Sequence, residues 1–356
     1  MADTRESLAA EALRLRKVDD ESSSKLVSAL QAAVEAQREA IETYVVEQQA
    51  LASDTAKLAA RIEALPSSPP TPPAWVPQFP GDVQPGTIRW GCSIEGNGDP
   101  VARHETIAGV ALGLRRTFWD MGKVDKLVAT AAADIAAGRV PWVSIKVGAW
   151  LDVAAGKIDA ALLGLFVKLK ALPGPVWLTA HHEPEDDIEG TSPAQVGGAA
   201  AWRSAQARIR RVLDQSGANN VAFASILMAW TFDPKSNRNP ADWWVDDCWD
   251  FAGIDVYQDS EAAGAPQTMT GWKNAKAFYD AKDLRIAIGE WGNRGTNATA
   301  ANEMLSFRDY CIGQGVPGMS YFDSSLNAAT GSWRLEGEPL ARFRELMKAP
   351  SSVRLK

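Results

Sequence analysis

Hydrophobic residues recur every three or four positions in the N-terminal part of the chain. The alternating a and d positions of this seven-residue repeat are Val27, Leu30, Val34, Gln37, Ile41, Tyr44, Gln48, Leu51, Thr55, Leu58, Ile62 and Leu65. Neither Gly nor Pro occurs between residues 27 and 65, and a 3.5-residue period held this long predicts a left-handed coiled coil. We therefore expect residues 1–65 to form a helical oligomerisation stalk.

Two alternatives stay open for this stalk. An amphipathic helix could fold back on the rest of the chain, but the apolar stripe is narrow, and Gln37, Gln48 and Thr55 interrupt it as register-fixing polar layers do. β-Branched residues at a with Leu at d favour a dimer, whereas polar layers also occur in trimers. The sequence thus predicts self-association and leaves dimer and trimer open.

A proline-rich segment follows at residues 66–86 (PSSPPTPPAWVPQFPGDVQPG). It contains eight prolines in 21 residues. Proline lacks a backbone N–H and has a fixed φ, so the segment cannot continue a helix or join a sheet, and an extended, semi-rigid chain is favoured. We interpret residues 66–86 as a linker between the stalk and a C-terminal domain at residues 87–356.

From residue 87 onward, short apolar segments alternate with Ala-rich segments. The apolar segments lie at residues 87–94, 114–120, 140–148, 175–182, 220–230, 249–258, 284–292 and 316–324. Helical windows fall at residues 124–137, 159–171, 194–214, 272–282 and 299–313. Eight strands alternating with helices predict a (β/α)₈ TIM barrel, an α/β fold. A doubly wound sheet is the alternative, but no Gly-rich phosphate-binding sequence follows the first strand.

Composition excludes several classes of partner. A formal net charge of −7 provides no basic stripe for a phosphate backbone, so we expect no nucleic acid. No apolar run approaches about 20 residues, so we expect no membrane insertion, and the N-terminus lacks the pattern of a signal peptide. Cys92, Cys248 and Cys311 are too few and too far apart for a disulfide framework or a zinc site. The chain has only three His residues, and we expect no metal and no other cofactor.

Two carboxylates occupy the positions where a TIM barrel places its reactive groups, just past the carboxyl ends of strands. Glu183 follows WLTAHH, and Glu290 lies in IAIGEWG. They are 107 residues apart, which spans three βα units and places them across the barrel mouth from each other. Cleavage of a glycosidic bond needs such a pair, since one carboxyl protonates the leaving oxygen and the other attacks the anomeric carbon or activates water. Taken singly, each Glu also fits a salt bridge at the barrel rim.

These residues resemble the β-mannanase-type glycoside hydrolase family 26. The resemblance spans about residues 88–346 and rests on HHE (181–183) and on NPADWWVDDCWDFAGIDVYQ (239–258), which is similar to the family's sixth-strand sequence. It implies an endo-acting, retaining O-glycoside hydrolase. By resemblance, Glu183 is the acid/base and Glu290 is the nucleophile. His182 is the neighbour of the acid, and Tyr257 orients the nucleophile.

Two departures distinguish this chain from the family pattern. Many members have Arg-Pro where this chain has Thr179 and Ala180. They also have aromatic residues soon after the acid, where this chain has PEDDIEG (184–190). The wall that contacts the sugar is therefore expected to differ from that of the mannanases.

The residues around Glu183 suit a carboxyl that stays protonated. Neighbouring carboxylates raise a carboxyl pKa, so we expect Glu185, Asp186 and Asp187 to help Glu183 to keep its proton, and we expect His182 to hydrogen-bond to it. A metal shared by His181 and His182 is disfavoured, because adjacent side chains on a strand point to opposite faces.

Tryptophan is unusually frequent, with 14 residues against 10 Phe and 5 Tyr. Indole faces serve as stacking platforms for sugars as well as core filler. We expect Trp230, Trp291 and Trp333 to line a groove across the barrel mouth, with Trp243 and Trp244 as an outer wall. The other candidate substrate contacts at strand ends are His181, Asp255, Asn293 and Glu95.

The order of the segments suggests a biological setting. A coiled coil, a proline linker and a sugar-active domain without a signal peptide resemble a minor tail or fibre protein of a bacteriophage that infects an actinobacterium. The resemblance implies location in the virion tail, with other tail proteins and the host cell-envelope polysaccharide as partners. Two further hypotheses stay open: a catalytically inactive barrel that binds envelope glycan, and a purely structural tail subunit.

Overall fold

The computed structural model describes residues 2–63, 75–187, 196–258, 264–326 and 332–356, and the chain divides into two compact units, Met1–Ala74 and Trp75–Lys356. In the first unit, a single helix, α1 (Ala2–Glu63), covers the described residues. Its side chains at the a and d positions between residues 27 and 58 are exposed, among them Ile41 and Leu51. The predicted N-terminal helix is confirmed, while Leu65 of the repeat lies outside the described residues.

The second unit is built on a closed barrel of eight parallel strands in sequential order. The strands are β1 (Arg89–Ile94), β2 (Leu114–Asp120), β3 (Val140–Lys146), β4 (Val176–Ala180), β5 (Val221–Met228), β6 (Phe251–Gln258), β7 (Ile286–Asn293) and β8 (Gly318–Asp323). Each lies within a segment predicted from the sequence, apart from one residue at the end of β7. The predicted TIM barrel is therefore confirmed.

Helices follow the strands and cover the barrel. They are α2 (Thr106–Ala108), α3 (Val124–Ala136), α4 (Trp150–Ala154), α5 (Asp159–Lys170), α6 (Pro184–Asp187), α7 (Gly198–Ser216), α8 (Thr270–Asp280), α9 (Ala298–Gly313) and α10 (Gly337–Met347). Each predicted helical window overlaps one of these helices. In the described part of the chain, no helix is long and apolar enough to cross a bilayer.

An aromatic cluster closes the amino-terminal end of the barrel. Trp142 and Trp177 meet edge to face with ring centroids 5.3 Å apart, and Phe251 lies 4.8 Å from Trp177. Phe79 stacks on Phe251 at 4.7 Å, and the indole N–H of Trp177 donates to the Pro80 carbonyl at 2.9 Å. Residues 75–86 were assigned to the linker because of their prolines, but in the structure they pack with the barrel. Phe79 buries its ring in the barrel interior, although the prolines keep the segment out of the sheet.

Replacement of Phe79 by Ala tests this packing. The ring is buried and touches two aromatic side chains, so we expect the free energy of unfolding of the barrel to fall by about 3–5 kcal/mol. Val76→Ala is the matched control, because Val76 is 75% exposed and its loss should change stability by less than about 0.5 kcal/mol. Denaturant unfolding, followed by tryptophan fluorescence, measures the free energy of unfolding of both variants. Equal stability of the two variants would contradict the packing of Phe79 in the barrel core.

Candidate active site

Three carboxyl groups converge at the carboxyl ends of the strands. Glu183 follows β4, Asp255 lies in β6 and Glu290 in β7. One carboxylate oxygen from each lies within 4.8 Å of the others. Asp255 and Glu290 are buried, whereas Glu183 is partly exposed. The two glutamates named from the sequence are thus brought together, with one at the solvent side of the cluster.

A buried arginine that the sequence analysis missed lies among these carboxyls. Arg116 of β2 donates from Nη1 to Asp255 Oδ1 at 3.2 Å, and its Nη2 lies 3.3 Å from Glu290 Oε1. Its guanidinium carbon lies 5.0 Å from the ring centroid of Phe118. The signal was present in LRRTFWD, since strand alternation puts Arg116 on the same, inward face as Leu114.

Glu290 is held at both oxygens. Arg116 contacts Oε1, and the phenol of Tyr257 donates to Oε2. Burial and the neighbouring Glu290 carboxylate raise the pKa of Tyr257, so the phenol keeps its proton and remains a donor. The structure thus places Tyr257 where the sequence analysis expected a group that orients Glu290.

Glu183 is in a setting that favours its protonated form. Burial raises the pKa of Glu183 well above its ordinary value, and the carboxylates of Asp255, Glu290 and Glu185 raise it further, while Arg116 opposes them. Among the described ion pairs, Arg116 joins Asp255 and Glu290 but not Glu183. Burial also raises the pKa of Asp255, but its ion pair with Arg116 opposes that rise. The ion pairs therefore favour Glu183 as the carboxyl that holds a proton.

The turn that carries Glu183 has a strained backbone. His181 and Glu183 have φ of 53° and 49°, the left-handed region that residues other than glycine rarely adopt. Hydrogen bonds from neighbouring strands hold the turn: the N–H of Glu183 donates to the Ile226 carbonyl at 2.9 Å, and that of His181 to the Ile145 carbonyl at 3.0 Å. Such strain at a candidate catalytic residue is typical of a preorganised site.

The two histidines take different places. His182 is half-buried, and its ring lies 5.4 Å from that of Phe118. Burial and the cations of Arg116 and Lys146 lower its pKa well below the usual range, so it is neutral near pH 7. The expected hydrogen bond between His182 and Glu183 is not among those of the described residues.

The predicted contact of His181 with substrate is wrong. His181 is buried behind the turn, where its Nε2 accepts from the Val147 N–H at 3.3 Å and its ring packs against Trp150. Burial lowers its pKa to about 4. The two adjacent histidines diverge and offer no shared metal site. Glu183, Asp255 and Glu290 present ligand-type oxygens together, but Arg116 occupies two of them, which fits a metal ion poorly.

The side chains of Trp230 and Trp291 differ in exposure. Trp230, just after β5, is 49% exposed, as a stacking platform would be. Trp291 is only 2% exposed and packs against Trp90 and Tyr321 between the barrel and the helices. The prediction that Trp291 lines the groove is wrong, because Glu290 points into the barrel and the next side chain along the strand must point outward.

The remaining predicted aromatic positions are mostly covered. Trp333 is buried, 4.7 Å from the ring of Tyr257, and the Arg294 guanidinium lies 4.2 Å from its ring centroid. Trp243 is buried against Trp202 and is not an outer wall, and Trp244, only partly buried, packs on Phe278. Of the five tryptophans predicted to contact substrate, Trp230 thus offers the most exposed indole.

Two other predicted substrate contacts have protein partners. Asn293 is buried and donates to Gln258 Oε1 at 3.0 Å and Glu303 Oε2 at 2.8 Å, so its predicted contact with substrate is wrong: the side chain links the ends of β6 and β7. Glu95 is exposed after β1 and accepts from the Ser325 N–H and hydroxyl, which ties the loops after β1 and β8 together.

Glu185 differs from the two acids beside it. Its side chain is 1% exposed, and burial raises its pKa to about 7. Asp186 is exposed, and Asp187 pairs with Lys146 at 3.3 Å. Of the three acids expected to support the proton on Glu183, Glu185 is the one buried against the site.

Comparison with known proteins gives relatives in structure alone. No protein-family model matches the chain, and no curated protein matches it. A family 26 β-mannanase from Bacteroides ovatus matches with 14% identity and a TM-score of 0.53 over 75% of this chain and 90% of that chain. A β-mannanase from a protist symbiont of the termite Reticulitermes speratus matches with 14% identity and a TM-score of 0.52 over 78% and 97%.

A third solved structure gives the same result. The family 26 domain of an endo-β-mannanase/endo-β-glucanase from Prevotella bryantii matches with 11% identity and a TM-score of 0.54 over 77% of this chain and 97% of that chain. At these identities the likeness concerns the fold, and the chain has the (β/α)₈ fold found in family 26 β-mannanases.

Glu185→Gln should stabilise the barrel more at pH 8 than at pH 5. A folded-state pKa of about 7, above the ordinary 4.5, means that the protonated carboxyl contributes stability below pH 4.5 that is lost as the pH rises through 7. An amide of the same shape does not titrate. The change in unfolding free energy should differ between the two pH values by up to about 3 kcal/mol. Denaturant titrations at both pH values measure the unfolding free energy. The same change at pH 5 and pH 8 would contradict a raised pKa of Glu185.

Proposed function

We propose that the barrel is an endo-acting, retaining O-glycoside hydrolase. The observation that carries the proposal is the Glu183–Glu290 pair, with carboxylate oxygens within 4.8 Å of each other. Retaining enzymes place the two carboxyl groups about 5–5.5 Å apart, whereas inverting enzymes leave about 6.5–9.5 Å for a water molecule. The contrasting surroundings of the pair support the division of roles, since Glu290 is ion-paired and Glu183 favours its protonated form.

The reaction proceeds in two steps. In the first, Glu290 forms a bond to the anomeric carbon while the bond to the leaving oxygen breaks, and that oxygen takes the proton of Glu183. In the second, water attacks the anomeric carbon, its proton passes to Glu183, and the bond to Glu290 breaks. Arg116 and Tyr257 keep the Glu290 carboxylate oriented between the steps.

The substrate in this proposal is a polysaccharide of the host cell envelope. Trp230 supplies an exposed face for a sugar ring. The structural neighbours are named as mannanases, but Thr179 and Ala180, at the positions of the family's Arg-Pro, are buried, and Thr179 accepts a hydrogen bond from Trp142. The sugar wall built by those family residues is absent at these positions, which favours a glycan other than mannan.

The proposed setting is the tail of a bacteriophage virion, with the helix α1 as the stalk. Its support is the order of segments and the apolar stripe exposed along α1, which needs a partner to be buried. A second copy of the chain provides the same stripe and completes a coiled coil. Other tail proteins are the proposed attachment partners.

Loss of either carboxyl should abolish turnover. The purified chain of residues 1–356 is incubated with fractionated actinobacterial envelope polysaccharides, and released reducing ends are measured. Glu183→Gln should lower kcat by about 10²–10⁴-fold, because the leaving oxygen loses its proton donor. Glu290→Gln should lower it at least as much, because no glycosyl-enzyme forms. NMR of the first product formed should show the anomeric configuration of the substrate.

Glu338→Gln, at an exposed site on α10, is the matched control and should retain full activity. Inversion of configuration would exclude the double-displacement mechanism. Binding of an envelope glycan without release of oligosaccharide would favour the inactive glycan-binding module.

Self-association should depend on the a and d stripe. Light scattering on the 38.3 kDa chain of 356 residues should give two or three times that mass. Ile41→Lys combined with Leu51→Lys should give the monomer mass, because both charges would be buried in the seam. Val46→Lys, at an equally exposed apolar residue outside the stripe, should leave the mass unchanged. A wild-type chain of 38.3 kDa at tens of micromolar would overturn the proposed stalk.

A further inference from the structure

Glu185 joins two turns at the barrel mouth. It lies in α6, two residues after Glu183, and its buried Oε1 accepts two hydrogen bonds from the last residue of β5 and the turn that follows it. The donors are the Met228 N–H at 2.6 Å and the Thr231 hydroxyl at 2.8 Å. These two residues flank the turn that presents Trp230 to solvent. A single carboxylate therefore fastens the turn of the proposed acid to the turn of the proposed sugar platform.

The Trp230 turn is also fixed from its other side. Asn274 of α8 donates to the Phe232 carbonyl at 2.9 Å. Gly271 of α8 lies so close that an added Cβ would be 2.2 Å from the Ala229 carbonyl oxygen. With α8 on one side and Glu185 on the other, the backbone around Trp230 has little freedom.

The charges around Glu185 come from three elements. Arg238, in the loop after β5, stabilises its carboxylate form and also donates to the Thr231 hydroxyl at 3.3 Å. Burial raises the pKa of the Tyr279 phenol of α8, and the charge of the nearby Glu185 raises it further. On its own turn, Glu185 faces Glu183, whose other charged neighbours are Asp255, Glu290 and Arg116. The Glu185 carboxylate is one of the three negative charges that raise the pKa of Glu183.

We propose that Glu185 is a positioning residue with two effects. Its two hydrogen bonds couple the turn of Glu183 to the turn of Trp230, and its negative charge acts on Glu183. The inference rests on the proposed glycosidase function and adds to it. The hydrogen bonds keep the acid and the platform in one geometry. The charge helps Glu183 to stay protonated until it meets the leaving oxygen.

Two variants of Glu185 separate these contributions. Glu185→Gln keeps an oxygen that accepts from Met228 and Thr231 but removes the charge, whereas Glu185→Ala removes both. Asp242→Asn is the matched control, because it removes one negative charge from an exposed residue of the loop after β5. Circular dichroism and thermal melts of the full-length proteins establish that each variant is folded.

The first measurement is hydrogen exchange at the Met228 amide, followed by mass spectrometry of peptides covering residues 226–231. We expect about tenfold faster exchange in Glu185→Ala, since the amide loses its acceptor, and less than about twofold change in Glu185→Gln and Asp242→Asn. This measurement does not depend on turnover. Unchanged exchange in Glu185→Ala would overturn the coupling even if the barrel proved to have no glycosidase activity.

The second measurement is the pH profile of kcat/KM for the release of oligosaccharide from the envelope polysaccharide. Its basic limb reports the proton on Glu183, so Glu185→Gln should move that limb down by about half a pH unit or more. Asp242→Asn should leave it in place, and kcat should fall further in Glu185→Ala than in Glu185→Gln. A basic limb that does not move in Glu185→Gln would overturn the electrostatic part of the proposal. Absence of turnover in the wild type would overturn the proposed function, and hydrogen exchange would then decide the coupling alone.

Discussion

The buried guanidinium of Arg116 is the constraint on which the barrel mouth depends. It contacts Asp255 and Glu290 and lies over the ring of Phe118. Three carboxyls this close would repel one another strongly if all were ionised in a poorly solvated site, and one cation can balance only part of that charge. Arg116 pairs with two of the carboxylates, and the unpaired Glu183 is the one that this arrangement favours in its protonated form.

The same balance gives the two glutamates of the proposed mechanism different surroundings. Glu290, bonded by Arg116 and Tyr257, has its charge compensated and its orientation set. Glu183 is held in a left-handed turn at the solvent side, close to like charges. Two identical side chains thus have different surroundings, as the acid and the nucleophile of the proposed mechanism require.

Strand alternation sorts the large side chains between two separate layers. Inward-facing residues fill the barrel, with Trp142, Trp177 and Phe251 at its base, while Trp90 and Trp291 face the helices. The abundance of tryptophan therefore serves packing more than substrate binding. Phe79 completes the base from outside the barrel strands, which makes a proline-rich segment part of the core.

Periodicity in the sequence was sufficient for the helix α1, the eight strands and the places of Glu183 and Glu290, because the alternation of apolar segments is local and reactive groups of a TIM barrel lie at strand ends. The inward direction of Arg116 was also encoded in strand alternation. The outward direction of Trp291 was not, because a bulge in β7 between Ile288 and Glu290 reverses the alternation that starts at the inward-facing Ala287. Only the tertiary structure decided which carboxyls pair with Arg116, that Phe79 enters the barrel, and that Glu185 is buried while Asp186 is exposed. Those outcomes depend on contacts between residues far apart in the chain, and no local pattern specifies which distant partner a side chain meets.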